Sequence, residues 1–150
     1  METADALQLN PLTLAFVGDG VFTLFVRTYA VEHFDLRANK MDAFCRAFVK
    51  AEAQAEVYRT IECTLSETEL GISKRARNSH PGNKAKNASL ADYMHATAFE
   101  AVIGYLYVTG DTVRLNEIEN AAIEIITANH ERVLRDKQGN VLTDISKGRL

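Results

Sequence analysis

Apolar residues recur at three- and four-residue spacing along most of this chain, which is typical of packed helices. From about Met41 to Glu62 the apolar side chains fall on one helical face, and no glycine or proline interrupts the pattern. We predict one helix there. The same periodicity and a capping residue at each start predict three more helices: Ser66 to about Asn78, Ser89 to about Val108, and Asp111 through Ile126.

The segment after Asn10-Pro11 is compatible with two structures. Asparagine followed by proline is typical of a helix start, and that helix would extend to about His33. Alternatively, Gly18-Asp19-Gly20 separates two β-prone runs, and Asp-Gly between such runs is typical of a hairpin turn. The hydrophobic pattern alone favours neither structure.

Two carboxylates interrupt strongly apolar segments. On helices, Asp19 would share a stripe with Phe22, and Glu100 would share one with Ile103, so we expect both acids to face the core. No Lys or Arg lies at one-turn spacing from Glu100. A charge held against apolar surface shifts its pKa, pairs with a cation or coordinates a metal. A divalent metal shared by both acids is the simplest explanation.

The composition is that of one ordinary globular domain, with 150 residues, 47% of them hydrophobic and 25% charged. We assign residues 1–133 to this domain and 134–150 to a weakly patterned tail. No apolar run approaches the roughly 20 residues that span a bilayer, and the N-terminus lacks the basic start of a signal peptide. We therefore expect a cytoplasmic protein without membrane contact. Cys45 and Cys63 form no zinc or disulfide pattern, and we expect both to be buried.

The net charge of −3 conceals a positive segment. Five basic and no acidic residues lie between positions 74 and 86, whereas 12 basic and 20 acidic residues elsewhere give −8. The basic residues are Lys74, Arg75, Arg77, Lys84 and Lys86. Pro81-Gly82 predicts a loop between them. A solvated surface segment and a site for a polyanion both account for such a run.

These motifs together resemble the catalytic domain of the ribonuclease III family. The resemblance covers about Leu9 to Ile126, with signature segments Val17-Gly18-Asp19-Gly20-Val21 and Phe99-Glu100-Ala101-Val102-Ile103-Gly104. Further matching motifs follow in the family's order: Phe48–Ala55, Arg75–Asn78, Lys84–Ser89 and Asp92–Glu100. The family's catalytic fold is all-α, with the Gly-Asp segment on a helix. The resemblance therefore favours the helix over the hairpin.

Two positions separate the chain from full-length ribonuclease III. That enzyme carries a Glu four residues before the signature Asp and an Asp three residues before the signature Glu, where this chain has Ala15 and Thr97. The Mini-ribonuclease III subfamily is similar in lacking both carboxylates and the double-stranded RNA-binding domain. How many metal ions two carboxylates hold stays open at this point.

The resemblance implies a Mg²⁺-dependent endoribonuclease that hydrolyses double-stranded RNA to 5′-phosphate and 3′-hydroxyl ends. Asp19 and Glu100 would be the catalytic and metal-binding residues. The implied RNA-binding residues are Lys74, Arg75, Arg77, Asn78, Lys84, Lys86 and Asn87. A non-catalytic RNA-binding or assembly module with the same fold is the alternative hypothesis, although such a module has no reason to keep both acids.

The resemblance also implies partners. The subfamily matures large-subunit (23S) ribosomal RNA precursors, apparently helped by a ribosomal protein. Cleavage of both strands of a duplex favours a homodimer, because two sites related by a twofold axis match the pseudo-twofold symmetry of the duplex. The apolar residues expected at the dimer interface are Phe22, Phe25, Tyr29 and Phe48.

Overall fold

A computed structural model describes residues 1–79 and 89–129, which form α-helices joined by short turns, with no strand among them. The helices are α1 (Thr3–Gln8), α2 (Pro11–His33), α3 (Ala38–Val49), α4 (Ala51–Ile61), α5 (Glu67–Asn78), α6 (Leu90–Thr109) and α7 (Thr112–Asn129), with a 3₁₀ helix at Glu62–Thr64. The predicted all-α fold is confirmed, and the segment around Asp19 is helical. The tail 134–150 lies outside the described residues.

Helix α6 forms the centre of the fold. It packs most extensively against α2 and also against α4 and α5. Residues 96–99 and 101–106 are all buried, so neighbouring elements surround α6 over this stretch, as expected for a core helix. Phe99 on α6 meets Phe22 on α2 edge to face, with 5.0 Å between the ring centroids. The two segments that carry Asp19 and Glu100 therefore share one core.

Capping side chains set the helix starts as predicted. Ser66 Oγ accepts a hydrogen bond from the backbone N–H of Glu69, and the Glu69 carboxylate accepts one from the N–H of Ser66. Ser89 Oγ accepts from the N–H of Asp92 at the start of α6. At the other end of α6, Gly110 has a φ of 77°, a left-handed conformation that favours glycine.

The predicted single helix from Met41 to Glu62 is wrong, because the chain breaks it at Lys50. Lys50 is extended, with φ −66° and ψ 149°, and separates α3 from α4. The break frees the carbonyl oxygen of Val49, which a continuous helix would bond to a backbone N–H. The side chain of Gln54 replaces that donor, since its Nε2 lies 3.1 Å from this oxygen. No glycine or proline marks the break in the sequence.

Two further expectations need correction. The first is that no apolar run is long enough to span a bilayer. By length and composition alone α2 is long and apolar enough to do so, with a mean hydropathy of 1.4 over its most apolar window. Such a helix near the N-terminus is weak evidence for a membrane span, because a core helix passes the same test, and α2 packs along α6.

The second expectation concerns the cysteines. Cys45 is buried as expected, but Cys63 is exposed.

Candidate active site

Helices α2 and α6 cross with their backbones in contact. A Cβ atom added to Gly18 would lie 1.8 Å from the carbonyl oxygen of Glu100, and one added to Gly104 would lie 1.9 Å from the carbonyl oxygen of Leu14. Neither position has room for a side chain. Because Asp19 follows Gly18 and Glu100 touches it, this crossing brings the two predicted acids into neighbouring positions.

The two carboxylates have different surroundings. Asp19 is exposed, so the expectation that it faces the core is wrong. The close approach at Gly18 turns the stripe of Leu14, Gly18 and Phe22 toward the core and leaves Asp19 at its border. Glu100 is partly buried on the central helix α6, as predicted. One acid therefore faces solvent, and the other is held by the core.

The electrostatics of the pair disfavour two negative charges. Burial and, secondarily, the charge of Asp19 raise the pKa of the Glu100 carboxyl to about 8, although a hydrogen bond from the Gln54 side chain acts in the opposite direction. The ion pairs among the described residues involve neither Asp19 nor Glu100. A divalent cation between the two acids would relieve this repulsion.

The oxygen atoms at the crossing fit a hard cation. Asp19 and Glu100 bring carboxylate oxygens to this crossing, and the described ranges contain no cluster of three or more His, Cys, Asp and Glu residues that could hold a metal. Beside Glu100 lies Gln54, which is fully buried and whose Oε1 has no hydrogen-bond partner within the same ranges. Mg²⁺ prefers oxygen ligands, accepts one or two carboxylates and keeps several waters. The donor set therefore suits Mg²⁺ better than zinc or copper.

The raised pKa of Glu100 predicts how stability depends on pH in the absence of divalent cations. As the pH rises from the ordinary value of 4.5 to about 8, the unfolded chain loses this proton and the folded protein keeps it, so the free energy of unfolding falls. Above that window the loss is complete. We expect Glu100→Gln to be more stable than wild type by about 2 kcal/mol or more at pH 8.5, and equal to it at pH 4. Urea titrations in EDTA measure this, and equal stability at both pH values would contradict it.

Four of the predicted RNA-binding residues lie in the last two turns of α5. Lys74 and Asn78 are exposed there. The other three, Lys84, Lys86 and Asn87, lie outside the described residues. The structure therefore brings part of the basic segment to the surface at the end of α5.

Arg75 and Arg77 already have partners within the chain. Arg75 donates to the carbonyl oxygen of Leu7 at 3.2 Å, and Arg77 lies 3.6 Å from the carboxylate of Glu62. Both contacts join α5 to other elements of the fold. Phosphate binding by these two arginines would have to share or replace them.

Gln54 is the residue at this site for which the sequence predicts no role, although it lies in the matching motif Phe48–Ala55. A signal was available, because a polar amide stands on the apolar stripe of α4 between Ala51 and Tyr58. Such a residue is expected to have a buried polar partner. Periodicity alone cannot show that this partner is the carbonyl oxygen of Val49 or that Glu100 lies beside the amide.

Comparison with known proteins identifies the family of this chain. The sequence pattern of the Ribonuclease III domain matches residues 12–111. Mini-ribonuclease 3 of Brevibacillus brevis is 44% identical over 124 residues, 83% of this chain and 92% of that protein. Mini-ribonuclease 3 of Staphylococcus aureus is 38% identical over 120 residues, 79% of this chain and 90% of that protein.

A solved structure shows the same fold. The crystal structure of a Fusobacterium nucleatum protein matches with a TM-score of 0.72 and 30% identity, covering 78% of this chain and 93% of that one. The chain therefore belongs to the ribonuclease III family and is an endoribonuclease that acts on double-stranded RNA. Within that family, the resemblance to the Mini-ribonuclease 3 subfamily is confirmed. These relatives favour the enzyme over the non-catalytic module.

Proposed function

We propose that Asp19 and Glu100 form the catalytic centre of this endoribonuclease and that cleavage requires Mg²⁺ held by both carboxylates. The observation that carries the proposal is the glycine crossing of α2 and α6, which sets a partly buried acid of raised pKa beside an exposed one. Two unpaired acids at such close quarters cost folding energy. A function that needs both explains why the chain keeps them.

The surroundings of each acid suit a different task. When bound, Mg²⁺ supplies the Lewis acidity that activates water for attack on phosphorus and stabilises the charge of the transition state. Asp19 is exposed, so a phosphate of the duplex can approach from its side. Glu100 is partly buried on the core helix α6, so the other side of the site is held by the core. Its carboxyl must lose a proton before it can hold the cation.

The basic segment is the proposed RNA-binding surface. Lys74 and Asn78 are exposed at the end of α5, and the predicted set continues with Lys84, Lys86 and Asn87. Arg75 and Arg77 complete the set if their internal contacts yield to phosphate. Neutralising RNA phosphates releases counterions, so binding should weaken steeply with salt. This charge lets an otherwise acidic protein bind RNA.

The proposed substrate is the double-stranded stem of the large-subunit (23S) ribosomal RNA precursor, cut in the cytoplasm with help from a ribosomal protein. This part rests on the resemblance to the Mini-ribonuclease 3 subfamily. We expect faster cleavage of that stem than of an unrelated duplex of equal length, by about tenfold or more, with 5′-phosphate and 3′-hydroxyl product ends. End-labelled RNA resolved on a gel measures both, and equal rates would remove the substrate assignment.

We also propose a homodimer that uses the exposed face of α2. Phe22 and Phe48 are fully buried within one chain, so they cannot be the interface residues that the sequence predicted. Large apolar side chains instead lie exposed along one face of α2, with 82% of Phe16, 67% of Leu24 and 65% of Val31 accessible. Exposed apolar stripes of this kind mark protein contacts. A second copy, related by a twofold axis, would cover this stripe and supply the second site.

A single charge on this face tests the dimer. We expect wild type to have a mass of about twice 16.7 kDa in solution and Leu24→Asp to have the monomer mass of 16.7 kDa. The reason is that burying an unpaired carboxylate in an interface is unfavourable. Val113→Asp is the matched control, since Val113 is 71% exposed and lies on a different helix, α7. Light scattering after size exclusion measures the mass. A monomeric wild type, or a dimeric Leu24→Asp, would refute the proposed interface.

A further inference from the structure

Gln54 is fully buried on α4, beside Glu100. Its amide nitrogen donates to the carbonyl oxygen of Val49 at 3.1 Å, and its side chain lies close enough to the Glu100 carboxyl to lower the pKa of that group. The amide oxygen, two bonds from that nitrogen, is also buried but has no partner among the described residues. A buried acceptor without a partner is rare in native proteins and calls for an explanation.

The break between α3 and α4 explains only half of this arrangement. Capping the Val49 carbonyl uses one N–H of Gln54 and leaves the amide oxygen without a purpose. An apolar side chain of similar length would fill the same space but would leave the Val49 carbonyl oxygen without its donor, so the cap accounts for the amide nitrogen and not for the amide oxygen. The hydrogen-bond donor for the amide oxygen of Gln54 is therefore expected to come from a bound ligand and not from the chain.

A hydrated ion at Asp19 and Glu100 needs hydrogen-bond acceptors for its waters, and the amide oxygen of Gln54 is one. Hydrated Mg²⁺ keeps several waters, and each of them needs acceptors around the site. Ala15 has no polar side chain, and the hydroxyl of Thr97 already donates to the carbonyl of Tyr93 at 2.9 Å. Gln54 thus places a neutral oxygen beside Glu100 without adding a third negative charge.

We infer that Gln54 is a positioning residue of the metal site, whose amide nitrogen orients the Glu100 carboxylate and whose amide oxygen accepts a hydrogen bond from a water of the hydrated ion. This inference rests on the proposed function, since it requires an ion at Asp19 and Glu100. Loss of a residue that hydrogen-bonds the ligands of a metal typically lowers the metal affinity by about ten- to a hundredfold.

Direct binding of Mn²⁺ alone, followed by its electron paramagnetic resonance signal, tests the inference without RNA or cleavage. We expect Gln54→Met to weaken Mn²⁺ binding by about tenfold or more. Tyr58→Phe is the matched control, because Tyr58 is also fully buried on α4 and its hydroxyl bonds Ser73 and Glu62 at 3.1 Å. That variant should lose stability and keep wild-type Mn²⁺ affinity. An affinity of Gln54→Met within twofold of wild type would overturn the inference.

A second measurement uses wild-type protein and does not depend on the folding of a variant. In nitrogen-15 spectra, the side-chain amide of Gln54 should shift when Mg²⁺ alone is added, with the amide of Gln8 on α1 as internal reference. A Gln54 signal that moves no more than that of Gln8 would overturn the inference.

The Mn²⁺ titration also separates this inference from the proposed function. If wild type binds Mn²⁺ no more tightly than Glu100→Gln, the metal assignment fails and the role of Gln54 fails with it. If wild type binds more tightly than Glu100→Gln and Gln54→Met matches wild type, only the role of Gln54 fails.

Discussion

Gly18→Ala and Gly104→Ala are each expected to destabilise the protein by about 3 kcal/mol or more, at the upper end of overpacking effects. The added Cβ atom would lie within 2 Å of a backbone carbonyl oxygen in both cases, at 1.8 Å and 1.9 Å. Backbone cannot rotate away as a flexible side chain can. The helices α2 and α6 would have to separate, and with them the two acids.

Gly71→Ala is the control for these variants. Gly71 also lies inside a helix, but nothing lies within 4 Å of the position where its Cβ would be. Alanine is favoured over glycine by about 0.5–1 kcal/mol in a helix, so this variant should gain stability. Urea unfolding at one protein concentration compares all three. A Gly18→Ala or Gly104→Ala protein within 1 kcal/mol of wild type would show that the crossing is looser than described.

Asp19→Asn and Glu100→Gln are each expected to lower the cleavage rate at saturating Mg²⁺ by about a thousandfold or more, equivalent to about 4 kcal/mol of transition-state stabilisation. Both changes keep the shape of the side chain and remove its negative charge. Folding and duplex binding should persist, because neither acid forms an ion pair that the substitution would break.

Single-turnover cleavage of a labelled duplex measures this effect, and a binding assay in EDTA checks that affinity is kept. Glu124→Gln serves as control, because Glu124 is an exposed acid on α7. It should cleave at the wild-type rate. Wild-type activity in either Asp19→Asn or Glu100→Gln would remove that residue from the catalytic centre.

Local signals explain what the sequence predicted correctly. Asn10, Ser66 and Ser89 cap their helices through hydrogen bonds to backbone N–H groups two or three residues ahead. Such bonds depend only on neighbours in the chain, so the pattern reveals them. The break at Lys50 lacks such a signal, because the Lys50 side chain caps nothing and the supporting bond comes from Gln54, inside the first turn of α4, to the carbonyl of Val49. Nothing in the spacing of apolar residues distinguishes it from a continuous helix.

The errors at the candidate site have a tertiary cause. Helical periodicity placed Asp19 on the buried stripe because Phe22 lies three residues further on. The contact at Gly18 instead sets which side of α2 faces α6, and it turns Asp19 outward. The sequence predicts Phe22 and Phe48 at a dimer interface because it does not show how much apolar surface one chain buries. The structure buries both and exposes Phe16 and Leu24.

The most direct test of the central claim is incubation of a labelled RNA duplex with the protein, with and without Mg²⁺, alongside Glu100→Gln. Wild type should cut both strands when Mg²⁺ is present and neither strand in EDTA. Glu100→Gln should cut neither strand, with or without Mg²⁺. Cleavage by wild type in EDTA, or Mg²⁺-dependent cleavage by Glu100→Gln at the wild-type rate, would contradict a metal-dependent centre at Asp19 and Glu100.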